Sequence, residues 1–124
     1  MKNLSYSILT SLVVLLFVLL FSGSALAQDP AKVDSNHYKV VFENDDVRVL
    51  RITYGPGEKS VMHYHPDNVA EFLTDNQVEF NLPDGEVVEM AATEGQVVWA
   101  PAGKHLPKNV GDKPLEIILV ELKK

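Results

Sequence analysis

The chain contains no cysteine in its 124 residues, so disulfides, thiolate metal ligands and lipid attachment through cysteine are all excluded. It also lacks a basic cluster: apart from Lys123-Lys124 the lysines stand singly, and the formal charge is -6 at pH 7. Nucleic acid and anionic membrane surfaces reward basic patches, and neither is expected as a partner. GxSxG elbows, Walker loops and dinucleotide fingerprints are missing too, which leaves nucleophilic and nucleotide chemistries without support. No helical stripe, internal repeat or low-complexity segment stands out.

A long apolar run occurs once, from Leu12 to Phe21. With Lys2 before it and Ala25-Leu26-Ala27 after it, residues 1–27 read as a signal peptide, and the mature chain is expected to begin at Gln28 in the periplasm or outside the cell. An uncleaved anchor is the alternative, since Ile8 and Leu9 extend the run, but ten residues are short of the about 20 that a span needs. Cleavage removes Lys2 and no acid, taking the charge from -6 to -7, and leaves no membrane segment. The following 97 residues suffice for one hydrophobic core, which must be stable without disulfides. Residues 28–36, QDPAKVDSN, are polar and aperiodic and read as a flexible leader, with the ordered domain at 37–124.

That domain is a succession of short strand signals between turn signals. His37 to Phe42, Val47 to Tyr54, Met62 to His65, Val69 to Thr74, Gln77 to Leu82, Glu86 to Met90, Gln96 to Ala100, His105 to Val110 and Leu115 to Leu122 are separated by Asn44-Asp45-Asp46, Gly55-Pro56-Gly57, Asp75-Asn76 and Pro83-Asp84-Gly85. Such spacing predicts an all-β antiparallel sandwich or barrel. Leu115 to Val120 is too apolar to alternate and is expected centrally, covered on both faces. His37 to Phe42 is the candidate edge strand and a possible homodimer contact.

Chemistry concentrates in Gly57 to Glu71. In Met62-His63-Tyr64-His65-Pro66 the histidines are two apart on a strand and share a face, while Pro66 ends the strand. Two neutral imidazoles side by side make half of a metal site. Downstream, Gly95 to Asn109 holds a second constellation with Pro101, Gly103 and His105.

With both stretches in view the chain resembles the cupin superfamily over the whole of 37–124. Gly57, five residues and His63-Tyr64-His65 match the opening of its first motif, while Gly95, Pro101, Gly103, His105 and Asn109 match its second with one residue fewer before the histidine. Small exported cupins labelled as beta-alanine degradation proteins are similar in kind. The resemblance implies a jelly-roll barrel in which His63, His65 and His105 bind one divalent transition metal, with iron, manganese, nickel, copper and zinc not distinguished. It implies no assigned catalytic residue.

The motif's glutamate is where the sequence departs. Val69 or Ala70 occupies its place, neither of which binds metal, and Asn76 stands where the closing glycine belongs. Glu71 is a displaced fourth ligand or a supporting carboxylate if Val69 faces inward, and points out if Ala70 does. Three histidines without a carboxylate leave the metal more positive, favouring anionic ligands or a thiolate. The functional expectation is a metal-dependent enzyme, with an oxygenase as its finer form, acting on a small polar metabolite; the alternative is a non-catalytic binding protein for a metal or small ligand. Trp99 and Tyr64 are expected to pack in the barrel or line its pocket, Gly103 to need positive φ, Asn109 to cap a loop, and His37 to be exposed rather than a ligand.

Overall fold

The computed structural model describes residues 28–124; the signal-peptide expectation for residues 1–27 lies outside them. Nine strands follow one helical turn α1 (Pro30–Val33): β1 (Tyr38–Glu43), β2 (Val47–Tyr54), β3 (His63–His65), β4 (Asn68–Phe72), β5 (Asn76–Asn81), β6 (Val87–Ala92), β7 (Val97–Ala100), β8 (Gly103–Asn109) and β9 (Leu115–Leu122). They form a five-stranded sheet in the order β1-β2-β9-β4-β7 and a four-stranded sheet in the order β3-β8-β5-β6, with every pairing antiparallel. The all-β expectation holds, and β1 is an edge strand.

Period-two alternation builds the core. On β2, Leu50, Ile52 and Tyr54 are buried between exposed Arg51 and Thr53, and on β9 Leu115, Ile117, Leu119 and Glu121 face inward. Turn chemistry sets where strands reverse. The Asn44 side chain accepts hydrogen bonds from the backbone of Asp46 and Val47 at 2.9 and 2.8 Å, and Gly57, Gly85 and Gly95 adopt φ of 77°, 88° and 78°, a region that only glycine enters freely.

Several expectations are corrected. Residues 28–36 are no loose leader. Asp29 caps α1 through the amide of Ala31, Arg48 binds Asp29 at 2.9 Å, and the Gln28 carbonyl accepts from the amide of Tyr64, so the segment is built into the domain by polar contacts that its composition does not advertise. β9 is central, between β2 and β4, yet its outward residues Glu116, Ile118, Val120 and Leu122 are only half-buried. Trp99 and Tyr64 are not barrel packing, because strand parity turns them outward to 55% and 44% exposure. Gly103 has no positive φ and starts β8 opposite His65.

Other departures have structural reasons. Asn76 needs no glycine conformation; its amide donates to the Lys113 carbonyl at 2.9 Å, and glycine is needed instead at Gly111, where an added Cβ would sit 1.8 Å from Asn76 Oδ1. Asn109 caps as expected, its buried amide reaching the carbonyls of Tyr54, Gly55 and Lys113 while Oδ1 accepts from the amide of Gly111.

Burial separates two large side chains that composition treats alike. Leu50 is fully buried and Leu50→Ala is expected to cost about 2–5 kcal/mol in urea unfolding. Trp99→Ala is expected to change stability by no more than about 0.5 kcal/mol. A large loss for Trp99→Ala would show that its face is covered.

Candidate metal centre

β3 is only three residues long and pairs with β8 so that His63 lies opposite His105. The rings of His63 and His65 share the inward face with that of His105, at centroid separations of 4.8, 4.9 and 5.2 Å and steep mutual angles. One nitrogen of each can be chosen so that all three lie within 4.8 Å of one another, and the two histidines of β3 are buried.

Hydrogen bonding decides which nitrogens carry lone pairs. His63 Nδ1 lies 2.7 Å from the Val61 carbonyl, which only accepts, so Nδ1 carries the proton. His65 Nδ1 lies 2.6 Å from Glu121 Oε1. Burial raises the Glu121 carboxyl, but hydrogen bonds from His65 and Arg48 outweigh it and hold the group below its usual range, so the carboxylate accepts and His65 Nδ1 donates. Both Nε2 atoms are then left unprotonated, and they stand 3.0 Å apart. His105 stacks on Phe80, and its Nε2 is buried without a partner.

This donor set fits a metal. Two nitrogens bound at about 2.0–2.1 Å with angles of 90–110° lie about 2.9–3.4 Å apart, which brackets the observed 3.0 Å. Burial and mutual repulsion keep two of the rings neutral at ordinary pH: desolvation and the neighbouring His65 lower His63 to about 4 and His105 to about 3, with His63 adding to the effect on His105.

Glu71 is exposed on the outer face of β4, and Ala70 and Phe72 line the interior, so Glu71 is neither a ligand nor a support. The supporting carboxylate is Glu121, which sequence reasoning passed over. It lies opposite Arg48 in the β2–β9 register, and Arg48 Nε binds its Oε2 at 2.6 Å while the guanidinium also reaches Asp29. The available signal was a single acid on the otherwise apolar inward parity of Leu115, Ile117 and Leu119. His37 is half-buried between Asp34 at 2.8 Å and Glu58 at 3.1 Å, away from the cluster.

Two hydroxyls complete the surroundings. Tyr54 donates to the Tyr38 oxygen at 2.5 Å, and Tyr38 lies 3.0 Å from His63 Nε2, to which it donates. Burial pushes Tyr38 well above its ordinary range, so it stays a proton donor. A cavity of about 480 Å3 between the sheets opens onto Tyr38, Tyr54, His65 and His105.

Comparison with known proteins agrees with this architecture. No family model matches the sequence, and no curated protein does. Solved structures do: a cupin domain from Bordetella pertussis Tohama I superposes with TM-score 0.66 at 26% identity, covering 70% of this chain and 92% of that one. An RmlC-like cupin with a double-stranded β-helix fold from Methanocaldococcus jannaschii gives 0.55 at 21% identity over 68% and 77%, and a cupin superfamily protein from Desulfitobacterium hafniense DCB-2 gives 0.53 at 15% over 70% and 76%. The described residues have the fold of these small cupin domains. Nothing in these likenesses bears on beta-alanine degradation.

The depressed histidines set a pH dependence for the metal-free fold. Because the folded groups titrate near 4 and 3 and the unfolded ones near 6.5, unfolding takes up protons below about pH 6.5 and stability falls as the pH is lowered. Unfolding free energies from urea titrations between pH 7 and 5 are expected to fall as the pH is lowered, with a linkage slope approaching two protons at the acid end. A flat profile would mean that the rings are not neutral and buried as described.

Proposed function

We propose that the protein is an exported, metal-dependent cupin enzyme acting on a small molecule, with one divalent transition metal held by His63, His65 and His105. The observation that carries this reading is the pair of Nε2 atoms 3.0 Å apart, each on a ring whose Nδ1 already donates. Two unprotonated ring nitrogens this close in a buried place repel unless a cation or a shared proton lies between them. The unpartnered His105 Nε2 supplies a third donor.

Each supporting residue has a stated part. The Val61 carbonyl and Glu121 fix the tautomers of His63 and His65, Phe80 fixes the plane of His105, and Arg48 keeps Glu121 ionised. A divalent metal with three imidazole ligands would polarise an oxygen of the bound molecule, and oxygenase chemistry is the finer form of the reading. Apolar side chains make up most of the walls beside the histidines. A non-catalytic binding protein is the second reading, favoured by one observation: no carboxylate lines the cavity to serve as a base.

Metal content of protein purified without chelators or a histidine tag tests the site. One metal per chain is expected in the wild type, near none in His63→Ala, His65→Ala and His105→Ala, about 10–100-fold weaker binding in Glu121→Gln, and wild-type binding in Glu71→Gln. An empty Glu71→Gln would restore Glu71 as a ligand. Anaerobic loading with ferrous iron separates the two functions: oxygen uptake stimulated by some small carboxylate, diketone or thiol supports the enzyme, and none across a broad screen at full occupancy supports the binding protein.

Export is supported by Lys2, the run from Leu12 to Phe21 and Ala25-Leu26-Ala27. Intact mass is expected to give a chain starting at Gln28 in the periplasmic or secreted fraction. A species retaining Met1 and found only with membranes would overturn it.

A further inference from the structure

The cavity beside the histidines has an unusual distribution of polarity. Its walls are apolar from both sheets, with Ile52, Phe72, Ile117 and Leu119 facing Phe80 and Met90. The polar residues lining it, apart from the histidines and the two tyrosines, are Asn68, whose amide is committed to the Pro66 carbonyl at 2.8 Å, and the exposed Lys104. A ligand carrying polar groups along its length would bury them without partners, each weakening binding about tenfold or more. The small polar metabolite expected from sequence does not suit these walls.

Tyr38 specifies the other end of the ligand. Its hydroxyl accepts from Tyr54 and donates to His63 Nε2, and His63 Nδ1 is already a donor to Val61. When a cation takes the Nε2 lone pair, Tyr38 keeps a proton but has lost its acceptor, in a residue only 2% exposed. A buried donor needs a partner. Three neutral imidazoles leave the metal's charge uncompensated, so an anionic partner is favoured, and oxygen accepts from a phenol better than sulfur does.

We propose, building on the metal reading above, that the cavity takes a molecule with an apolar body and a single oxyanion head (carboxylate, enolate or phenolate), and that Tyr38, supported by Tyr54, donates to that head. Tyr38 is thereby a specificity-determining residue, distinct from the metal-holding histidines. The apolar walls select the body and the hydroxyl pair selects the head.

Cobalt(II)-loaded protein reports ligand binding through its visible spectrum without any turnover. Titration with straight-chain monocarboxylates from acetate to octanoate is expected to lower Kd about fourfold per methylene until the cavity is filled. Succinate should bind at least about tenfold more weakly than butyrate, and an alkanethiol more weakly than the carboxylate of equal chain length. Tyr38→Phe should take up cobalt fully yet lose about tenfold in carboxylate affinity at every chain length, with a smaller loss for Tyr54→Phe. A Kd independent of chain length, tighter binding of succinate than butyrate, or unchanged affinity in cobalt-replete Tyr38→Phe would overturn this inference and leave the metal reading standing. The chain-length series needs no variant, so it decides the matter even if Tyr38→Phe does not fold. Failure of the wild type to bind cobalt would instead overturn the metal reading, and the head assignment with it.

Discussion

The buried carboxylate of Glu121 is the contact on which the arrangement around the histidines depends. It is 2% exposed and ionised, a state that burial alone would make very unfavourable. It is tolerated because both oxygens are occupied, Oε1 by His65 Nδ1 and Oε2 by Arg48 Nε, each at 2.6 Å. The same two bonds carry consequences outward. Through His65 the carboxylate determines which ring nitrogen meets the cluster, and through Arg48 it reaches Asp29 and so the helical turn that caps the domain. Removing Arg48 alone would leave the buried charge with His65 Nδ1 as its remaining partner, and breaking a buried pair in this way costs about 3–5 kcal/mol in other proteins. Neutral, well-packed replacement of the whole set could keep the fold while losing the tautomer, so stability and site geometry are separable here.

Much of the barrel was legible because its strands are short, alternate with period two and are bounded by residues with distinct turn chemistry. The pair His63 and His65 was legible for the same reason: two apart on a strand means one face. The outward Trp99 and Tyr64 were misread because size and aromaticity speak for burial, whereas parity within β7 and β3 decides it. Glu71 and Glu121 show the limit more sharply. Both are acids on strands, and only the pairing of β4 with β7 and β9 tells that Ala70 rather than Glu71 faces inward. Glu121 is far from the histidines in sequence, and its partners Arg48 and His65 come from two other strands, so its role is a long-range property that local pattern does not carry. Residues 28–36 were misjudged on composition for a related reason: polar segments dock through specific hydrogen bonds, and a low apolar content says nothing about those.

The site and the stability of the barrel draw on opposed environments in one interior. Three imidazoles, two phenols and an ion pair form one connected polar cluster that runs from Tyr54 through Tyr38, His63 and His65 to Glu121 and Arg48, while the cavity beside it is lined mostly by hydrocarbon. A cavity of about 480 Å3 in an interior of this kind sacrifices packing that the fold would otherwise gain. That sacrifice persists in a chain with no disulfide to offset it. An apolar pocket next to three clustered imidazoles is therefore better understood as a ligand site than as imperfect packing. The position of the hydroxyls sharpens the point. Tyr54 donates to Tyr38, which leaves the Tyr38 proton in need of an acceptor, and here that acceptor is the nitrogen that a cation would claim, so occupation of the histidines and the need for an oxygen acceptor are linked through His63 Nε2.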